Sequence, residues 1–266
     1  MLNKTTHLQG FVIHAKDGEL GSVEDLYFDD ETWAIRYLAV ETGGWLGGKP
    51  VLISPFSITE VDWQAKKLHV SLNRKQVENS PALDVHQTVS RQHEGRYLDY
   101  YGYPSYWDGP YLWGPALYPA GYIMPAPATG SEKAAAAAWS EPEDSHLRSV
   151  ASVTGYHISA SDGEIGHVAG FFIDDDAWAI RYLEVATNNW WPGKKVLLSP
   201  AWVENVSWSE SAVHVAVTRA MIQDAPEFEE AMPITRDYEN QLYVHYGRPS
   251  YWLNQAGHRT AFSSSE

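Results

Sequence analysis

The chain has 266 residues, a formal net charge of −15 and no cysteine. That charge argues against nucleic acid or an anionic membrane face as a main partner. The missing thiols exclude a disulfide framework, a cysteine nucleophile and a Cys-ligated metal or cluster.

No apolar run reaches the roughly 18–20 residues of a spanning helix, and the opening MLNKTTHLQGF carries no apolar leader. The sequence therefore reads as a soluble, cytoplasmic protein without a membrane span. In chain order, the first strand is predicted over His7–Ala15, ending at Asp17-Gly18, a strong hairpin-turn signal. Gly21–Phe28 follows and stops at the acidic pair Asp29-Asp30. Trp33–Thr42, rich in β-branched and aromatic residues, is the third strand. A glycine loop, Gly43–Gly48, leads to short strands at Lys49–Ser54, Ile58–Trp63 and Lys67–Leu72. A one-to-two-turn helix is expected over Asn73–Asn79, capped by Asn73 and stopped by Pro81. The copy closes on an aromatic tail, Tyr101-Gly102-Tyr103-Pro104-Ser105-Tyr106-Trp107.

The pattern then repeats. Asp29–Pro55 returns as Asp174–Pro200 at a constant offset of 145, and the register holds from Gly10/Gly155 to Trp107/Trp252 with 39 identities in 98 pairs. Repeats decide architecture before any single motif does. Here they predict a mainly β protein: two tandem small antiparallel β-barrels with short helices and aromatic tails. The boundaries read are 1–107 for the first repeat with its tail and 108–145 for a flexible Pro- and Ala-rich linker. The second repeat with its tail covers 146–254, and 255–266 is a frayed C-terminus.

Reading the copies against each other sorts the third strand. Leu38/Leu183 and Val40/Val185 read as core. The exchange of Ala39 for Glu184 and of Glu41 for Ala186 marks the end of the opposite face as wet. Trp33, Ile35 and Tyr37, with twins Trp178, Ile180 and Tyr182, lie on that same face. Three large apolar groups in a row are a liability when exposed, so a cover is expected, from the chain's own tail or from the other copy. Arg36 and Arg181, set amid apolar residues, are expected to bond carbonyls or a turn carboxylate, with partner recognition as the alternative. The tails (Tyr101, Tyr106, Trp107; Tyr246, Tyr251, Trp252) are either an intramolecular cover or a contact for another chain. All fourteen residues form the candidate interface.

Chemistry-bearing patterns are sparse. Asp17/Glu19 and Asp162/Glu164 read as turn residues rather than an acid–base pair. Asp29-Asp30-Glu31 and Asp174-Asp175-Asp176 lack the alternating ligands and glycine of a calcium loop. His69 and His214 recur in register without converging partners. No G-x-S-x-G, Walker loop, G-x-G-x-x-G or H-E-x-x-H occurs. No catalytic, cofactor-binding or metal-binding residue is assigned, and no cofactor is expected.

The order DG-E-L/I-G-x-V, acidic turn, W-A-I-R-Y-L-x-V-x-T, Gly/Asn loop and V-L-I/L-S-P, met twice, resembles the PRC-barrel family over about 8–81 and 153–226. That family includes the cytoplasmic part of the photosynthetic reaction-centre H subunit and the C-terminal barrel of a ribosome maturation factor. The resemblance implies a binding and assembly module, with no catalytic residue to carry over. The expected function is therefore non-enzymatic protein binding, to a protein partner or by self-association as a homodimer. The alternatives are a small-molecule or enzyme function in a cleft between the copies, and a peripheral role in a photosynthetic or other membrane electron-transfer complex.

Overall fold

The computed structural model describes residues 1–81, 91–121, 146–187, 194–230 and 232–253. Its strands lie within or close to the predicted runs, the first shortened to Val12–Ala15, and two helices that the sequence reading did not place, over Arg91–Tyr101 and Arg236–Tyr246, are added. The first copy contains β1 (Leu2–Lys4), β2 (Val12–Ala15), β3 (Gly18–Asp29), β4 (Ile35–Glu41), β5 (Val51–Ile53), β6 (Ile58–Asp62) and β7 (Lys67–Val70), then α1 (Arg74–Glu78) and α2 (Arg91–Tyr101). The second contains β8 (Leu147–Ser149), α3 (Val150–Val153), β9 (His157–Ala160), β10 (Gly163–Asp174), β11 (Ala179–Ala186), β12 (Lys195–Leu198), β13 (Val203–Ser207) and β14 (Ala212–Val215), then α4 (Arg219–Gln223) and α5 (Arg236–Tyr246). Most of these elements recur at the 145-residue offset to the residue.

Two seven-stranded sheets result, in the orders β5-β4-β3-β2-β7-β6 and β12-β11-β10-β9-β14-β13. The seventh strands join off these paths, β8 on β3 and β1 on β10. The class is mainly β. Two features differ from small closed antiparallel barrels. First, the sheets are open paths, with no ladder between the end strands β5 and β6 or between β12 and β13. Second, β2 pairs with β7, and β9 with β14, in parallel. Both differences come from one turn. Ser54 caps the 3-10 turn Pro55–Ser57, and Ser199 caps its twin Pro200–Trp202. Followed through the ladders, the turn carries the chain onward without reversing it. The flanking strands therefore form no hairpin, and the last strand arrives parallel to the first.

Local chemistry accounts for the elements. Asn73 and Gln76 form a reciprocal capping box on α1, and Thr218 caps α4 through Met221 N. The turn carboxylates Asp17 and Asp162 accept from Arg74 N and Arg219 N at 2.8 and 2.7 Å, tying each hairpin turn to the start of a helix. Gly21 and Gly166 are fixed by close approach. A Cβ there would lie 1.9 Å from Glu41 O and 2.2 Å from Ala186 O. Leu8, Ile13, Leu20, Val23, Leu38, Val40, Ile53 and Leu68 are buried in the first copy. Ile158, Ile165, Val168, Leu183, Val185, Val196 and Val213 are buried in the second.

One compact unit gathers residues 1, 3–154 and 170–181; the other gathers residue 2, 155–169 and 182 onward. The expected linker is described only over 108–121, where Trp113 is fully buried. Its remainder and the expected frayed C-terminus lie outside the described residues. So does the second Gly/Asn loop at 188–193.

Candidate interaction surface

Strand β4 is buried on both faces up to Val40, so the sheet face carrying Ile35 and Tyr37 has a cover. The cover is α2 and the tail that follows it. Gly102, at φ +72°, stops the helix in the left-handed conformation and turns the tail back. Inside, the fully buried Glu94 of α2 accepts from Tyr37 OH at 3.0 Å and Tyr106 OH at 2.5 Å. His146 Nε2 stands 2.9 Å from the other carboxylate oxygen. Burial first, and the neighbouring Glu94 charge second, push the Tyr37 phenol well above its ordinary range, so it remains a donor. Tyr97 adds a second tie, donating to Leu52 O at 3.0 Å and accepting from Ser54 N at 3.1 Å.

Arg36 is enclosed beside this clamp. Its guanidinium lies 3.7 Å from the Tyr106 ring centroid and 4.9 Å from that of Trp113. It donates to Leu112 O at 2.8 Å and Thr32 Oγ1 at 3.0 Å, with Asp29 Oδ2 at 3.5 Å. Burial lowers its pKa, which the neighbouring Tyr106 and Asp29 oppose. Trp113 in turn donates its Nε1–H to Ala177 O at 2.8 Å. Carbonyl bonding and carboxylate pairing, the two structural roles expected of this arginine, therefore occur together.

The second copy repeats the arrangement. Glu239 of α5 accepts from Tyr182 OH at 2.8 Å and Tyr251 OH at 3.0 Å, with Arg236 at 3.0 Å. Arg181 pairs with Asp174 at 3.1 Å. Tyr243 donates to Ser199 Oγ at 3.1 Å, the counterpart of the Tyr97–Ser54 tie made from a helix position one residue along. Arg236 also lies 4.1 Å from the Trp252 ring centroid.

Trp33 and Trp178 occupy left-handed backbone at φ 60° and 49°, a conformation rare for a bulky residue. Within the first compact unit this turn sets up a reciprocal bridge. Ile35 N donates to Trp178 O at 2.7 Å, and Ile180 N donates to Trp33 O at 2.8 Å. Trp33 stacks on Phe28 at 5.1 Å.

The structure thus places Trp33, Ile35, Arg36, Tyr37, Trp178, Ile180, Tyr182, Tyr101, Tyr106 and Tyr246 in the interior. Arg181, Trp107, Tyr251 and Trp252 are half-buried. Reading from sequence did not single out Glu94, Glu239, His146 or Trp113. The glutamates were visible as in-register identities three residues after Arg91 and Arg236. Position 184 corrects another expectation. Glu184 is fully buried and paired with Lys195 Nζ at 2.7 Å, so that position is dry, whereas Glu41 at the end of β4 is exposed as expected.

Among the described residues, one acidic group has oxygens close enough to share a cation: those of Asp174, Asp175 and Asp176 lie within 4.8 Å of one another. Arg181 holds Asp174, while Trp63 Nε1 and Asn3 Nδ2 donate to Asp175 at 2.9 and 3.2 Å. Asp174 and Asp175 thus serve as structural acceptors, while Asp176 is exposed.

Residues 12–77 match the family model of the PRC-barrel domain. The matched segment runs from β2 to α1, and the second copy presents the same strand order at the 145-residue offset. A PRC-barrel domain points to a protein-interaction or assembly module. No curated protein matches the chain. Among the described residues, no helix is long and apolar enough to cross a membrane.

Proposed function

We propose that this protein is a non-enzymatic protein-interaction or assembly module. The supporting observation is the destination of the buried polar groups common to both copies. Glu94 and Glu239 each face two tyrosines and a basic side chain, His146 and Arg236 respectively. Arg36 and Arg181 are tied to the acidic turn. A general acid or base needs a face open to its substrate, and these groups face the protein's own side chains. The PRC-barrel match supports the same reading. The partner is another protein, a further copy of this chain or a membrane-associated assembly.

Capture of the tagged full-length chain from native lysate, followed by mass spectrometry, identifies the partner. Reconstitution from the purified components should then give a complex of fixed stoichiometry by light scattering. Failure to reconstitute, together with small-molecule turnover by the pure protein that Glu94→Gln abolishes, would sink the reading.

A further inference from the structure

A row of imidazoles and carboxylates crosses the outer face of the first sheet. The ladders set Glu60 of β6 opposite His69 of β7, His69 opposite His14 of β2, and His14 opposite Glu19 of β3. Their chain neighbours Ile13 and Leu68 are fully buried, so alternation turns His14 and His69 away from the core. The two rings lie 5.4 Å apart between centroids. Nε2 of His14 is sealed from water and makes no hydrogen bond among the described residues, though Glu19 Oε1 stands 3.3 Å from it. Arg74 donates to Glu19 O at 3.1 and 2.8 Å, which holds the backbone beneath that carboxylate. Sequence alone showed His69 without converging partners; the sheet register supplies them.

The second copy provides the contrast. The same row there reads Asn205, His214, Ser159 and Glu164. One imidazole and one carboxylate are gone, and His214 pairs with Glu210 at 2.9 Å. Ala65 stands at the position of Glu210 in the first copy. The strand order is the same in both copies, so His14 and Glu60 are not what the fold depends on.

We propose that His14, His69, Glu19 and Glu60 form a site for a borderline divalent metal ion of the zinc class. Imidazole suits such ions, whereas calcium and magnesium take oxygen ligands. Two imidazoles on one tetrahedral ion, with metal–nitrogen bonds of about 2.0–2.1 Å, have centroids about 5 Å apart. The observed 5.4 Å comes close to that spacing. The two carboxylates balance the charge of the ion. His14 and Glu19 already stand together, and His69 and Glu60 complete the set by rotation of their side chains. A bound ion would tie β6, β7, β2 and β3 together across the parallel β2–β7 ladder. The site goes beyond the assembly reading and does not depend on it.

The test is calorimetric titration of the untagged, chelator-treated full-length chain with Zn²⁺ alone. One ion per chain should bind, and the melting temperature should rise with Zn²⁺ concentration. His14→Ser imports the second copy's residue, and His69→Gln keeps much of the side chain's reach. Each should weaken binding by more than about 100-fold, because even an outer-shell partner is worth about 10–100-fold. Both variants should match wild type in far-ultraviolet circular dichroism without metal, and either decides the matter if the other fails to fold. A second in-register pair, His157 opposite His167, has Ala212 rather than a carboxylate on its other side. His157→Val, which imports the first copy's residue, should therefore leave Zn²⁺ binding unchanged. No binding, an adventitious ion only, seen as several weak sites, or binding that survives His14→Ser or His69→Gln overturns the proposal. So does binding that is lost in His157→Val.

Discussion

In the first copy Glu94 meets His146 where both side chains are sealed from water; in the second Glu239 meets Arg236, whose side chain is 53 % exposed. The two tyrosine donors are equivalent by register, so the clamps differ mainly in which basic side chain meets the glutamate, a buried imidazole or a half-exposed guanidinium. Arg36 and Arg181 differ in the same sense. The former is covered by Tyr106 and Trp113, while the latter keeps part of its side chain at the surface beside Asp174. The duplicated fold needs a carboxylate that accepts from the strand and the tail, and it tolerates different side chains beside it. The first copy has drawn that whole polar cluster inward, which makes it the more brittle of the two.

The largest expected effect tests that brittleness. Glu94→Ala removes the buried acceptor shared by Tyr37 and Tyr106 and opens a cavity beside His146, and should cost about 3–5 kcal/mol, since each buried donor that loses its acceptor costs about 1–3 kcal/mol. Glu239→Ala leaves two tyrosines, but Arg236 can turn to solvent, so the loss should be about 1–3 kcal/mol. Urea unfolding followed by circular dichroism measures both. Equal losses would show that burial of the basic neighbour does not distinguish the copies.

A smaller difference is expected at the glycines. Gly21→Ala and Gly166→Ala both drive a methyl into a backbone carbonyl, at 1.9 and 2.2 Å. Gly21 also sits at φ +149°, so strain adds to the clash. Each should cost about 2–4 kcal/mol, with Gly21 the more sensitive by about 1. A Gly166 variant that loses as much as the Gly21 variant would assign the whole effect to the clash.

Much of this architecture was legible in the sequence because the copies annotate each other. Most strand positions, the Asn73 cap and the need for a cover over Tyr37 all followed from period and register. The parallel strand pairs did not. Ser-Pro marks a break, but whether the chain reverses there is a tertiary outcome. Helices α2 and α5 were also missed, since their residues are largely polar or aromatic and give a weak apolar stripe. Thr235 as N-cap and Gly102 and Gly247 as terminators were the available signals. Glu184 misled for a different reason. A glutamate facing an alanine in the other copy suggests water, yet the neighbouring strand changes with it. Ala39 and Pro50 in the first copy become Glu184 and Lys195 in the second. Two substitutions that only make sense together are a contact, and single-column reading cannot see it.

The smallest expected effect concerns pH, and it too separates the copies. Asp25 receives Ser149 Oγ, Leu26 N and Ala151 N, while its counterpart is Gly170. Burial raises the Asp25 pKa, and the three hydrogen bonds only partly oppose the shift. A carboxyl whose pKa is higher folded than unfolded binds its proton more tightly in the fold. Its ionised form therefore reduces stability above the folded pKa. That loss is recovered as pH falls through the folded pKa toward the ordinary value near 3.8. Asp25→Asn keeps a carbonyl for the two backbone amides and presents an amide to Ser149 Oγ, which can accept. It should be as stable as wild type or slightly more stable at pH 7. Its advantage should then shrink steadily between pH 7 and pH 4 as wild-type Asp25 takes up its proton. Chemical unfolding at matched ionic strength across that window measures the difference directly. An advantage that grows on acidification would mean that the ionised carboxylate, held by Ser149, stabilises β8 on β3 despite its burial.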